Sequence, residues 1–187
     1  MNAYDFDDTI LSGDTEVYFW KYIFDNFKKA LPYKEQAYKY RKLQQAGKCS
    51  REISRPVIYR FLKEFDDISE VVTKFWALHE KFIKPWYALA YEKTDVIISG
   101  TPLFLLKPIM QKLGIKNVIA TKMDERTGEL DGLWNYGEEK VRRFKEIYGD
   151  IRPEKFYSDS LSDLPMARLA KEAFIVRNDD ISPWSDL

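Results

Sequence analysis

Asp5-Phe6-Asp7-Asp8-Thr9 places two carboxylates two residues apart where the short apolar run Met1 to Phe6, read as a β-strand, comes to an end. Side chains alternate across a strand, so Asp5 and Asp7 face one side and could together address one hard cation or one phosphate. A calcium loop of the EF-hand type competes for the same letters. It wants Gly at its sixth position and Glu at its twelfth; counted from Asp5 these are Ile10 and Glu16, and the loop fails twice. An acidic surface turn is the plainer alternative.

Three later segments supply what phosphoryl chemistry would still lack. Val96-Ile97-Ile98 runs into Ser99-Gly100-Thr101-Pro102. There the backbone N–H groups and the Ser99 hydroxyl could hold phosphate oxygens, with Thr101 reading as a helix cap and Pro102 as the first helical residue. Lys140 follows Gly137 at the opening of a helix and could neutralise charge on a nucleophile and a phosphoryl group; alone it would be a solvated lysine. Tyr157 leads into Ser158-Asp159-Ser160-Leu161-Ser162-Asp163, a second carboxylate pair, for which helix capping by Asp159 or Ser162 is the alternative.

The elements that must carry these residues fall into two textures. From about Thr15 to Tyr91 apolar residues recur at helical spacing, with breaks at Leu31-Pro32, Ala46-Gly47 and Lys84-Pro85 that predict four or five helices and no strand. After Lys93, β-branched runs at Asp95 to Ser99, Asn117 to Thr121, Lys155 to Ser158 and Ala173 to Arg177 alternate with helices at about Pro102 to Leu113, Glu138 to Tyr148 and Ser162 to Lys171. That alternation predicts a doubly wound α/β fold with a mainly parallel sheet, interrupted after its first strand by an all-α insert. The predicted division is a core of residues 1–13 and 93–187 and a helical cap of residues 14–92, burying a small core of its own. A hairpin turn is predicted at Arg126-Thr127-Gly128-Glu129.

Composition excludes several classes of function. The 187 residues are 45% hydrophobic and 32% charged, enough for a real core, and 30 basic residues balance 30 acidic ones. A neutral chain has no global attraction for nucleic acid or an anionic membrane, so neither is an expected partner. No apolar run approaches the ~20 residues of a membrane span, no signal peptide is readable, and the one cysteine, Cys49, suits a reducing compartment; the expected location is the cytoplasm. Charge is nonetheless uneven. Residues 14–93 hold 16 basic and 11 acidic side chains, a balance of +5 against −5 for the rest. A basic lid over an acidic mouth would attract anions, though solvated lysine-rich helix faces explain the count equally well.

Taken in order, Asp-x-Asp-x-Thr, a strand-end Ser-Gly, a later Lys and Asp-x-x-x-Asp resemble the haloacid dehalogenase (HAD) superfamily. The helical insert after the first strand is similar to its phosphoserine-phosphatase-like branch. The resemblance covers nearly the whole chain. It implies a Mg²⁺-dependent phosphatase acting on a small phosphorylated metabolite through an aspartyl-phosphate. In it Asp5 is the nucleophile, Asp7 the general acid and base, and Lys140 and Ser99 bind the phosphoryl oxygens. Mg²⁺ would be held by Asp5, the Asp7 backbone carbonyl and Asp159, with Asp163 holding a coordinated water or orienting Lys140; substrate contacts would include Gly100, Thr9 and Asp14.

Asp14 stands where that branch carries a Glu for a substrate amine, but it reads equally as a helix N-cap in Gly13-Asp14-Thr15. Arg51, Arg55 and Arg60 could receive a substrate carboxylate or lie on solvated helix faces. His79, the single histidine, is expected to be structural. Hinges for a moving cap are expected near Ser12-Gly13 and Tyr91 to Thr94. A phosphomutase of the same fold and a non-catalytic receiver-like phosphate and Mg²⁺ module are the competing functions, the latter opposed by the long insert.

Overall fold

The computed structural model describes residues 1–185. In chain order the elements are β1 (Ala3–Tyr4), α1 (Thr15–Asn26), α2 (Leu31–Gln45), α3 (Arg51–Ile58), α4 (Ser69–His79) and α5 (Pro85–Ala90). They continue with β2 (Val96–Pro102), α6 (Leu103–Leu113), β3 (Asn117–Thr121), α7 (Glu138–Tyr148), β4 (Lys155–Ser158), α8 (Leu164–Leu169), β5 (Glu172–Arg177) and β6 (Asp180–Pro183). The strands form one sheet in the order β3-β2-β1-β4-β5-β6, parallel except for β6. This is the doubly wound α/β architecture with its insert of helices. The chain reverses its direction of travel across the sheet between β1 and β4, the place where open parallel sheets leave a crevice at their carboxyl ends.

Alternation along the strands divides the apolar residues between two faces. Ala3, Val96, Ile98 and Phe156 pack with Phe144 of α7 and Met166 of α8. Tyr4 and Ile97 point the other way and join Phe19, Phe75 and Trp76 of the insert and Leu105 and Ile109 of α6. The insert therefore shares its apolar core with one face of the sheet instead of burying a separate one. The seam includes a buried hydrogen bond from the Trp76 indole to the Leu105 carbonyl at 2.6 Å.

Several local differences from the sequence reading have physical causes. β1 is shorter than Met1 to Phe6 because the chain coils at once, Ile10 and Leu11 both donating to Phe6 O at 2.8 and 2.9 Å. Thr101 is the penultimate residue of β2 and caps nothing; α6 starts after Pro102. The helix expected over Ser162 to Lys171 is a 3-10 turn, Leu161–Asp163, followed by the shorter α8. The turn at Arg126 to Glu129 is present, closed by Gly128 N to Asp124 O and Asp124 N to Glu129 O, both at 2.9 Å.

The two crossings between sheet and insert pair with each other. Ser12 N donates to Phe82 O at 2.8 Å and Lys84 N to Ile10 O at 2.7 Å. The return crossing therefore lies at residues 82–84, ahead of the expected Tyr91 to Thr94, because α5 packs on the sheet through Tyr87 edge-on to Tyr4. His79 sits inside the insert, its Nδ1 2.8 Å from Phe75 O and its ring stacked on Phe75.

Candidate active site

The carboxyl ends of β1, β2 and β4 open into a cleft of about 220 Å³ whose lining includes Asp5, Asp7, Gly100, Thr101, Lys140 and Asp159. Residues spread from position 5 to position 163 are thereby brought together. The Lys140 ammonium, in the first turn of α7, donates to Asp5 Oδ1 and Asp163 Oδ2, each at 2.7 Å. Ser158 donates to the same Asp163 oxygen at 2.8 Å. Lys140 is 3% and Asp163 1% exposed, so this chain of charges lies at the floor of the cleft with little contact with bulk water.

Asp7 is held from two sides. Thr15, the first residue of α1, gives it a backbone N–H at 2.6 Å and its hydroxyl; Thr101, at the end of β2, gives its hydroxyl to the other oxygen at 2.6 Å. Burial, with the negative charge of Asp14 behind it, pushes Asp7 up to about 6 against the pull of these donors. Burial and neighbouring Asp8 push Asp159 up to about 6 as well. Asp5 is raised well above the carboxylate range by burial, opposed by Lys140 and reinforced by Asp163 and Asp159. Burial works to lower Lys140, yet Asp163 and Asp5 hold it above its ordinary value.

The remaining expected contacts divide. Gly100 lines the cleft, and a Cβ there would stand 3.2 Å from Trp134 Nε1, close enough that the indole would have to shift by a few tenths of an ångström. Ser99 is fully buried, its hydroxyl accepting from Thr101 N at 3.1 Å. Thr9 is also fully buried and its hydroxyl accepts the Asp159 N–H at 2.9 Å, which makes it a support for Asp159 rather than part of the cleft wall. Asp14 lines the cleft and caps α1 at the same time, accepting from Val17 N at 3.0 Å, with Arg41 3.6 Å from its other oxygen.

Of the three arginines, Arg51 and Arg55 line the cleft and Arg60 is exposed elsewhere. Arg55 is 5% exposed, bridges to Glu16 at 3.0 Å and lies between the rings of Trp20 and Trp134. Its Nε and Nη1 are buried with no partner. Buried guanidinium donors without acceptors are unusual. Burial pushes Glu16 up to about 7, opposed by Arg55. Thr15, Glu16, Thr101 and Trp134 escaped the sequence reading, since each acts through tertiary contacts that local spacing does not report.

Asp5, Asp159 and Asp163 face a single Lys140, all three carboxylates lining one cleft, and Asp163 Oδ1 is buried without a partner. Surplus negative charge on an all-oxygen set is what a hard cation offsets. Among the described residues no three acidic, His or Cys side chains form a ready ligand cluster; an oxygen donor set of carboxylates and backbone carbonyls, completed by water, would suit Mg²⁺.

The sequence profile of haloacid dehalogenase-like hydrolase matches residues 3–168. A histidinol-phosphatase of Neisseria meningitidis serogroup C (strain 8013) is 27% identical over 138 residues, covering 67% of this chain and 61% of that protein. The chain thus spans less than two thirds of that relative. A Bordetella pertussis Tohama I protein of unknown function has a similar fold, with TM-score 0.78, 19% identity, and coverage of 92% of this chain and 87% of that one. So does a probable phosphoserine phosphatase from Vibrio cholerae, with TM-score 0.64, 16% identity, and coverage of 92% and 55%. At these identities the two structures speak to fold alone. Among the described residues no helix is long and apolar enough to cross a membrane.

Proposed function

Because the chain belongs to the haloacid dehalogenase-like hydrolase family, we propose that it is a Mg²⁺-dependent phosphatase of a small organic phosphate monoester that acts through an aspartyl-phosphate on Asp5. The observation that carries this reading is the pairing of Asp5 with the buried Lys140 at 2.7 Å, in the same cleft as Asp7 and Asp159.

An Asp5 oxygen would attack phosphorus, forming the Asp5 O–P bond as the ester P–O bond breaks, while Asp7 gives its proton to the leaving alcohol oxygen. Asp7, now ionised, would take a proton from water as that water displaces the phosphoryl group from Asp5. A carboxyl pushed up to about 6 suits both duties. Lys140 neutralises charge on the nucleophile and the transferring oxygens. Asp5, Asp159 and the Asp7 carbonyl would hold Mg²⁺, which supplies charge neutralisation at the phosphoryl group. Asp163 positions Lys140, and Thr9 positions Asp159. Ser99 sets the turn that presents the Gly100 and Thr101 backbone.

The core addresses only the phosphoryl group, so selectivity falls to residues of the proposed cap, taken to end at the return crossing of residues 82–84 instead of at residue 92, with α5 on the side of the core. Arg55 lines the cleft, and its buried, unpartnered Nε and Nη1 would favour a substrate with a carboxylate beside the ester, as in phosphoserine-like compounds, once movement of the cap uncovers them. Asp14 is a weaker contact for an amine, since one oxygen is committed to the α1 cap.

Phosphate release from a panel of monoesters, including phosphoserine, histidinol phosphate and p-nitrophenyl phosphate, with Mg²⁺ and then with EDTA, tests this reading. Metal-dependent release is expected. Transfer of phosphate within a substrate with no free phosphate would replace the phosphatase by a mutase. Silence from a folded, metal-loaded sample would remove both.

A further inference from the structure

Lys84 lies on the return crossing from the insert to the sheet, and nothing in the chemistry above uses it. It is 4% exposed. Its ammonium donates to two backbone carbonyls, Asp8 O at 2.6 Å and Asn178 O at 2.5 Å. Burial draws the ammonium below its ordinary value, opposed by the carboxylates of Asp179, Asp8 and Asp159.

The two carbonyls belong to unusual residues. Asp8 has φ +53° and Asn178 φ +56°, and among the described residues these are the two non-glycine positions in the left-handed region. L-residues hold that conformation only where surrounding contacts fix it. Asp8 is further tied to Gly13, through N to Gly13 O at 3.0 Å and Oδ1 from Gly13 N at 2.9 Å. One buried ammonium thus clamps the turn after the acid motif, the β5–β6 turn and the return crossing to each other.

Position gives this clamp its meaning. The peptide that joins Asp7 to Asp8 is planar, and the φ of Asp8 is one of the two soft angles that set its direction. That peptide carries the Asp7 carbonyl. We propose that Lys84 is a positioning residue, which fixes the direction of the Asp7 carbonyl by holding Asp8 in its left-handed conformation. The proposal rests on the reading of that carbonyl as a cation ligand. A tether that served stability alone would leave cation affinity unchanged once the protein is folded; a positioning residue would not.

The test uses the full chain with Lys84→Met, which keeps the aliphatic stem and loses all donors, and Lys84→Arg, which keeps charge and donors. Mn²⁺ binding is read by electron paramagnetic resonance, alongside thermal melting, kcat and KM. In Lys84→Met the Mn²⁺ affinity is expected to fall about tenfold, the size typical when a group supporting a metal ligand is lost. Activity should then recover as the metal concentration is raised, with KM for the ester little changed, and Lys84→Arg should regain most of the affinity. A folded Lys84→Met that binds Mn²⁺ as the wild type does overturns the proposal, whatever its melting temperature. Should Lys84→Met not fold, Lys84→Gln, whose shorter side chain cannot carry its amide nitrogen to the position from which the ammonium reaches both carbonyls, is read in the same way, and wild-type affinity in it is equally fatal. Wild-type protein that binds no Mn²⁺ would overturn both this proposal and the metal-dependent reading beneath it. Wild-type binding with an unaltered variant removes Lys84 alone.

Discussion

Thr101 gives its hydroxyl to Asp7 Oδ2 at 2.6 Å, so the end of β2 holds the carboxyl group proposed as general acid. That bond favours the ionised form and pulls the pKa down against burial. Thr101→Val keeps the shape and deletes the donor. The Asp7 pKa should rise, and because the first step needs Asp7 protonated, the alkaline limb of kcat/KM for an alkyl phosphate should move to higher pH. A profile that superimposes on the wild type would show that Asp7 is not the group titrating.

Asp5→Asn should lower turnover by at least about 10³-fold while leaving the fold intact, since the amide is a poor nucleophile. Its melting temperature should not drop. Asp5 and Asp163 share one ammonium, and removing the first carboxylate leaves Lys140 its second partner. Phosphate release together with differential scanning calorimetry checks both halves.

Lys140→Met is the converse case. It strands Asp5 and Asp163 in a buried site without a counterion, and losing one partner of such a pair costs about 3–5 kcal/mol. Urea denaturation should show the loss at neutral pH and a partial recovery in acid, where the stranded carboxylates take up protons. An unchanged midpoint would mean that water reaches the site.

Glu16 should tilt the pH dependence of stability. Its carboxyl is pushed up to about 7 in the folded chain from 4.5, first by burial. The native state therefore binds this proton more tightly than the unfolded one, and stability falls as pH rises from about 4.5 through about 7. In Glu16→Gln that fall should be absent over the same window. Midpoints of urea unfolding measured from pH 4 to 8 for both proteins decide it.

Arg55→Lys keeps the charge but removes the planar fork. If the two unpartnered donors receive a carboxylate, KM for phosphoserine should rise about 10- to 100-fold relative to p-nitrophenyl phosphate, the value of charged hydrogen bonds in a buried site. Equal effects on both esters would place the anion-binding role at the phosphoryl group instead.

The sheet and its helices were legible because short β-branched runs and helical spacing are local signals; β2 to β5 and the breaks at Leu31, Ala46 and Lys84 lie where those signals put them. The strand-end acids were legible for the same reason. What escaped depended on contacts between residues far apart in sequence. Nothing near Thr101 reports that its hydroxyl meets Asp7, so it reads as a helix cap. Arg55 looks like one basic residue among several until Trp20, Trp134 and Glu16 close around it. β6 was missed because its residues are exposed and carry no apolar alternation. The shared core was missed because the same aromatic spacing serves an insert packed on itself and one packed on the sheet.

β1 is two residues long and is the first of this sheet's strands to be made, yet its neighbours are Val96-Ile97 and Phe156-Tyr157. On a ribosome adding about 5–20 residues per second, Asp5 emerges several seconds before the strand that completes its surroundings. Until β4 arrives, β1 lacks one flank and Asp5 lacks the Tyr157 carbonyl that accepts its N–H. The closing contacts are among the most distant the chain makes, and contacts of high sequence separation slow folding because the loop's entropy is lost before the pairing rewards it. The acidic cluster is therefore assembled late in the life of the nascent chain, and a prematurely terminated copy would carry the nucleophile without the lysine that answers it.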